Sequence, residues 1–349
     1  MPRYKLTIAY DGSDYCGWQK QEPLEAKQPI GVPMAYTSRT PRIESTRDGR
    51  IALRTVQGVV EQAVRRVVRE PVVVLGASRT DSGVHAAAQV AAFTCSGDLP
   101  PPPSEADPAI APPSTDANAE AAPPALRTEQ QPGIGWPLSR GTDRLIMAIN
   151  AALPEDVLIV KAEPVHLAFD PIKDATSKGY SYTLNFSLVR PLWGRQYLYW
   201  LRRATALNTA AMNQAAGYLL GEHDFNAFAA AGHKRLTTVR TVHACTVSEV
   251  ARTGISRDLL DDASLRPPLA DSINQLVRID ISGNGFLWNM VRIVAGTLLE
   301  VGLGKREPTS ILKALESRDR RDCGPTLPPE GLRLEWIQYG KRDAAAQPS

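Results

Sequence analysis

The feature that most constrains this fold is an almost wholly apolar segment at residues 287–301. Arg292 and Glu300 are its only ionisable residues, and its apolar residues recur at helical spacing. A helix that is apolar nearly all round must be buried in a core, and a chain of 349 residues can supply one. The segment is shorter than the roughly 20 residues that a membrane-spanning helix needs. It therefore predicts a buried helix that ends at Gly302, a usual C-cap residue.

Arg292 makes this helix informative, because a buried guanidinium without an anionic partner is strongly destabilising. Glu300 lies two turns away on the same helix, so we expect the partner to come from another element. The partner can be a carboxylate or a phosphate, and Asp81 is a candidate. The alternative is an arginine whose stem lies on apolar surface while its head reaches water.

Asp81 lies in a stretch of small and polar residues, 76–83, after a predicted short buried strand at residues 72–75. Arg79 precedes it by two residues, and His85 follows it by four. A carboxylate held there by backbone amides would stay ionised and nucleophilic. The alternative is an aspartate that caps its own turn, which is common in loops of this composition.

Strand and helix patterns are interspersed along the chain without the regular rhythm of a doubly wound sheet. Apolar and polar residues alternate at 4–10, which is typical of a half-buried strand, and apolar residues recur at helical spacing from Thr55 onward. Further strands are predicted at 157–162, 178–186, 239–247 and 276–281, and further helices at 143–153 and 209–220. The predicted class is α+β, a largely antiparallel sheet with helices packed on one side and two similar halves.

Three polar or proline-rich segments interrupt this pattern, at about 22–52, 99–137 and 253–271. Residues 99–137 hold 11 of the 28 prolines, and such a composition cannot bury enough surface to order itself. We expect the first two insertions to be disordered. The predicted organisation is an N-terminal half at 1–165, a C-terminal half at 166–340 and a tail at 341–349.

Charge is unevenly distributed between the second insertion and the rest of the chain. Residues 99–132 hold five acidic residues and one basic residue, which leaves 39 basic and 32 acidic residues elsewhere. A basic folded body suits a phosphate-rich partner, although an ordinary surface could carry the same balance. The four cysteines form no C-x-x-C pair, which favours a reducing, cytoplasmic setting. We expect a soluble protein without membrane association.

Two tyrosines, Tyr180 and Tyr182, lie on one face of the predicted strand at 178–186, because side chains two residues apart share a face. Paired aromatic residues on a strand can stack on a nucleobase. They can equally be plain core residues. The pattern by itself leaves both interpretations open.

The segments discussed so far resemble the tRNA pseudouridine synthases of the TruA type when they are taken together. The three that carry the resemblance are Ser78-Arg79-Thr80-Asp81-Ser82-Gly83-Val84-His85-Ala86, Lys178-x-Tyr180-x-Tyr182, and Gly285-Phe286-Leu287 with Met290-Val291-Arg292 and Gly296. Further matching segments are Tyr10-Asp11-Gly12, Gly17-Trp18-Gln19, Thr55-Val56-Gln57-Gly58, Gly221-x-His223-Asp224-Phe225 and Pro328-Pro329-x-Gly331-Leu332. They follow the family's order and cover most of the chain outside the insertions.

The resemblance implies a pseudouridine-synthase-like catalytic fold and a function. Asp81 is then the catalytic aspartate, Tyr180 stacks on the target uridine, Arg292 pairs with Asp81, and Arg79 displaces the target base or contacts the backbone. The implied substrate is the anticodon arm of tRNA, at about positions 38–40, read by shape and backbone. The resemblance also implies a homodimer and a reaction without cofactor or metal.

Two other functions stay open at this stage. One is an RNA-binding homologue that binds tRNA without catalysis. The other is a small-molecule metal hydrolase that uses Asp81, His85 and His223, which would depend on a bound metal ion.

Overall fold

The structure, a computed structural model, describes most of the chain outside the predicted insertions. The segment at 253–271 and the tail at 341–349 lie outside the described residues, as do the two predicted disordered insertions except at 44–45, 51–52 and 134–137. Residues 134–137, at the end of the second predicted insertion, are described: Trp136 is buried, and its indole donates to the carbonyl of Gly141 at 3.1 Å. The disorder of the insertions stays a prediction. The described residues are 1–21, 44–45, 51–97, 134–202, 205–230, 237–250 and 274–340.

In the described ranges ten strands form one sheet, and a separate two-residue ladder joins β2 (Glu44–Ser45) to β3 (Ile51–Ala52). The ten strands are β1 (Arg3–Tyr10), β4 (Leu75–Gly76), β5 (His85–Thr94), β6 (Val157–Val165), β7 (Ala175–Ser187), β8 (Tyr199–Arg202), β9 (Gly221–Asp224), β10 (Val239–Glu249), β11 (Asn274–Gly283) and β12 (Leu332–Tyr339). Their order is β6-β1-β5-β12-β7-β11-β10-β9, with β4 beside β5 and β8 beside β7. Among the described strands, only the β5–β12 and β7–β8 ladders are parallel, so the sheet is largely antiparallel, as predicted.

The apolar face of this sheet is set by the period-two patterns in its strands. In β1 the predicted alternation holds, because every second residue from Tyr4 to Tyr10 is buried. The register continues this face across the sheet: Leu6 lies opposite Ala91, and Tyr180 lies opposite Ile281. The described part of the chain contains five α-helices: α1 (Val56–Val68), α2 (Thr142–Ala152), α3 (Thr209–Gly217), α4 (Met290–Gly302) and α5 (Ser310–Ser317). The predicted α+β class is confirmed.

The apolar segment forms helix α4, and eleven of its thirteen residues are buried. The helix begins at Met290, three residues later than predicted. Gly302 is its last residue rather than its cap: the cap is Leu303, and Gly304 adopts the left-handed conformation at φ 69°. Gly296 lets the helix approach a neighbouring loop, since a Cβ there would lie 1.9 Å from the carbonyl oxygen of Pro325.

The prediction of a buried strand at 72–75 is wrong. Only Leu75–Gly76 is a strand, and Leu75 and Val73 are exposed while Val74 is buried. The backbone here bonds to helix side chains instead of a strand, because Gln57 donates to the carbonyl of Val74 at 2.8 Å and Glu61 accepts from its amide at 3.1 Å. Helix α3 also ends earlier than predicted, at Gly217 instead of 220.

One continuous sheet spans both predicted halves, and the last strand, β12, lies between β5 of the first half and β7 of the second. The division into 1–165 and 166–340 stays a prediction. Within the part of the chain that the structure describes, every helix is too short or too polar to cross a lipid bilayer.

Candidate active site

The loop that carries Asp81 joins β4 to β5 and is held by hydrogen bonds from the sheet beneath it. The amide of Ala77 donates to the carbonyl of Val90 at 2.8 Å. The buried side chain of Gln89 accepts from the amide of Ser78 at 3.1 Å and donates to its carbonyl at 2.6 Å. One side-chain amide thus satisfies both backbone groups of Ser78, which fixes the start of the loop.

The N-terminal segment holds the same loop from the other side. The hydroxyl groups of Tyr10 and Thr80 lie 2.7 Å apart, and the amide of Trp18 donates to the carbonyl of Thr80 at 3.1 Å. Gly17 has φ +91°, and a Cβ there would lie 2.7 Å from that carbonyl oxygen. A glycine is therefore needed for both conformation and space.

Arg292 and Asp81, which are 211 residues apart in sequence, meet at the N-terminal end of helix α4. Arg292 Nη1 lies 3.5 Å from Asp81 Oδ2, and the indole of Trp288 donates to Asp81 Oδ1 at 3.1 Å. The Asp81 side chain is 28% exposed and that of Arg292 16%, so the carboxylate is reachable while the guanidinium is largely covered. The expected pairing is present, as a single contact between Nη1 and Oδ2.

The environment of the Asp81 carboxylate differs from the expectation in two respects. Among the described residues no backbone amide donates to it, so it neither rests on amides nor caps its own turn. Burial raises the pKa of Asp81 above its usual value, and the charge of Arg292 and the hydrogen bond from Trp288 oppose this rise. Arg292 and Trp288 therefore stabilise the ionised carboxylate, a role that the prediction assigned to backbone amides.

The guanidinium of Arg292 is held by protein atoms on its other sides. Its Nε donates to the carbonyl of Leu327 at 2.6 Å, and its Nη1 donates to Asn289 Oδ1 at 2.8 Å. The alternative of a head group that reaches out to water is wrong, because these bonds turn it into the protein. Glu300 pairs with Arg306 at 2.5 Å, away from this site.

The two tyrosines of β7 have different surroundings. The hydroxyl group of Tyr180 lies 2.8 Å from Ser78 Oγ, and its ring packs edge-to-face on Phe286 at 5.2 Å. Burial raises the pKa of Tyr180 to about 12, and only 8% of the residue is exposed. Tyr182 is fully buried and donates to the carbonyl of Pro328 at 2.7 Å. Tyr182 is thus a core residue, whereas Tyr180 lies directly beneath the loop of Asp81.

Arg79 lies on the same loop, two residues before Asp81, with an exposed side chain. The exposure leaves it accessible to a ligand that approaches Asp81. Its role stays a prediction.

Trp288 and Asn289 were missed as site residues by the sequence reasoning, which treated residues 287–301 as one buried apolar helix. In the structure Trp288 is 53% exposed, and its indole N–H donates a hydrogen bond to Asp81. A usable signal existed: between Phe286 and Arg292, only these two side chains can form hydrogen bonds.

The ligand set of the metal-hydrolase alternative is not assembled. His85 lies beside Asp11, with Nδ1 3.1 Å from Asp11 Oδ1, and His223 Nε2 lies 2.8 Å from the carbonyl of Leu220. In the described ranges no group of three or more His, Cys, Asp or Glu side chains is placed to share a metal ion.

Comparison with known proteins gives consistent matches along the chain. A family model described as tRNA pseudouridine synthase matches residues 215–340. The protein "tRNA pseudouridine synthase A 2" of Clostridium perfringens is 31% identical over 339 residues, which cover 97% of this chain and 100% of the relative. Proteins named "tRNA pseudouridine synthase A" from Clostridium botulinum and a Thermoanaerobacter species are 30% and 31% identical, with the same coverage of both chains.

Proposed function

This chain belongs to the tRNA pseudouridine synthase A family, and from this premise we propose that it isomerises uridine in the anticodon arm of tRNA with Asp81 as its nucleophile. The contact of Asp81 with Arg292 at 3.5 Å is the observation that carries this proposal. It places a reachable carboxylate beside a fixed cation. The enzyme class is an isomerase.

The proposed reaction balances without an oxidant or reductant. Asp81 attacks the uridine at the base or at C1′ of the sugar, and the bond between N1 and C1′ breaks. The uracil turns in the site and reattaches through a new bond between C5 and C1′. The proton leaves C5, N1 gains one, and the aspartate is released, so that no atoms are gained or lost. We propose that no cofactor takes part.

Access to the glycosidic bond requires the target nucleotide to leave its stack. Base flipping costs a few kcal/mol, which contacts with tRNA phosphates offset. The excess of basic over acidic residues outside 99–132 supports such contacts. We propose recognition of the arm by shape and backbone, at about positions 38–40 of the tRNA.

Arg292, Tyr180 and Arg79 have separate proposed roles around Asp81. Arg292 keeps the carboxylate ionised against the effect of burial on its pKa. Tyr180 contacts the flipped base with the small part of its ring that is exposed, and its bond to Ser78 keeps that ring in place. Arg79 displaces the target base or contacts the RNA backbone, which suits its exposed position. We further propose a homodimer that acts in the cytoplasm.

Mapping of pseudouridine in unmodified tRNA transcripts tests this function directly. After incubation with the protein, carbodiimide-dependent primer extension should stop in the anticodon arm. Stops confined to another arm would contradict the proposed target. Tight tRNA binding without any stop would favour the non-catalytic homologue.

A further inference from the structure

Two consecutive residues before helix α4, Trp288 and Asn289, contact both members of the Asp81–Arg292 pair. The indole of Trp288 donates to Asp81 Oδ1 at 3.1 Å. The amide oxygen of Asn289 accepts from Arg292 Nη1 at 2.8 Å, and this same nitrogen faces Asp81 Oδ2 at 3.5 Å. The carboxylate and the guanidinium are thus each held by one of two neighbouring side chains.

The backbone fixes the direction of both side chains. Asn289 has φ 59°, the left-handed conformation that few non-glycine residues adopt and that asparagine tolerates. The carbonyl of Trp288 accepts from the amide of Ala230 at 3.1 Å, and that of Asn289 accepts from Ile293 at 3.0 Å. The turn is therefore tied to the helix on one side and to a separate segment on the other.

Packing alone does not explain why a tryptophan occupies position 288. It is 53% exposed, although burial of apolar surface is the usual reason for a tryptophan in such a segment. The hydrogen bond from its indole N–H to Asp81 is the interaction that a purely apolar side chain could not make. The exposed part of the ring also borders the carboxylate that the substrate must reach.

We propose that Trp288 and Asn289 are positioning residues of the isomerisation: Trp288 fixes the plane of the Asp81 carboxylate and Asn289 fixes the guanidinium of Arg292. This inference rests on the proposed function of Asp81. A carboxylate free to rotate presents its attacking oxygen in the right direction for only part of the time, and orientation is a large part of catalytic rate. Bonds on both oxygens restrict that rotation.

The indole bond also has an electrostatic consequence that separates this role from a structural one. Trp288 lowers the pKa of Asp81 against the effect of burial. Loss of the bond therefore raises this pKa, and the acidic limb of the pH–rate profile moves to higher pH. A residue that served only for packing would not move this limb.

The test is Trp288→Phe, which keeps an aromatic ring and removes the N–H group. Trp193→Phe is the matched control, because Trp193 is 83% exposed and lies outside the site. With enzyme in excess over tRNA transcript, Trp288→Phe should lower the single-turnover rate about tenfold, the value of one bond to an ionised group, and leave tRNA binding unchanged. Its acidic limb should lie at higher pH than in the wild type and in Trp193→Phe.

Asn289→Gly is the second variant, since glycine accepts the positive φ and only the acceptor is lost. It should lower the single-turnover rate about tenfold, because the lost bond is also one to an ionised group. The acidic limb should move to higher pH, because a less firmly held Arg292 lowers the pKa of Asp81 less. The inference is overturned if both variants match Trp193→Phe in rate and pH profile while Asp81→Ala is inactive. An active Asp81→Ala would overturn the proposed function instead.

Discussion

The loop of Asp81 and the start of helix α4 form the same site but are held by opposite means. The loop is fixed by polar groups: the amide of Gln89, the hydroxyl of Tyr10 and the backbone of Trp18. Helix α4 is fixed by apolar burial of eleven of its thirteen residues. Asp81 is thus supported by directional polar bonds that leave it accessible, whereas Arg292, which pairs with it, extends from a rigid apolar core.

Among the residues that support Asp81, the largest expected effect comes from the helix side. Arg292→Lys should lower pseudouridine formation at least about a hundredfold, because one ammonium group cannot replace the separate bonds of Nε to Leu327 and Nη1 to Asn289. Single-turnover kinetics measure this, with Arg321→Lys as control because the Arg321 side chain is 90% exposed. A wild-type rate in Arg292→Lys would contradict this account, because it would show that a single positive charge beside Asp81 is enough for the reaction.

On the loop side, Gly17→Ala should act on both stability and rate. The added Cβ would lie 2.7 Å from the carbonyl of Thr80, at a residue with φ +91°, and we expect a loss of about 1–3 kcal/mol in the free energy of unfolding. The rate should also fall, because Thr80 directly precedes Asp81. Gly97→Ala is the control, since a Cβ there meets nothing within 4 Å. Equal urea midpoints and rates for the two variants would contradict the close support of the loop.

The smallest effect concerns the cost of burying Asp81. Because the pKa of Asp81 is raised in the folded state, the folded protein binds the proton more tightly than the unfolded chain, and stability falls as pH rises through the folded pKa. Asp81→Asn should therefore be at least as stable as the wild type at neutral pH. This advantage should vanish below the usual pKa of aspartate. Urea unfolding of both proteins at several pH values measures this difference in stability. A difference that grew on acidification would mean that the pKa of Asp81 is lowered, not raised, in the folded state.

The same contrast explains what could be predicted from the sequence. Helix α4 and strand β1 follow from apolar periodicity, which is a local signal, and the partner of Arg292 follows from the cost of an unpaired buried charge. The conformation of 72–75 could not be predicted, because its backbone bonds go to the side chains of Gln57 and Glu61 on another element. Likewise, the exposure of Trp288 depends on where helix α4 begins, three residues later than its apolar pattern indicates.

The most direct test of Asp81 as the nucleophile is single-turnover pseudouridine formation by Asp81→Ala, measured together with tRNA binding. We expect no pseudouridine, and tRNA binding within about tenfold of the wild type, or about 1.4 kcal/mol, because recognition of the arm does not depend on the nucleophile. Asp319→Ala is the control and should react normally, because the Asp319 side chain is partly exposed and pairs with Arg321 instead of with Asp81 or Arg292. Pseudouridine formed by Asp81→Ala at the wild-type rate would contradict the account.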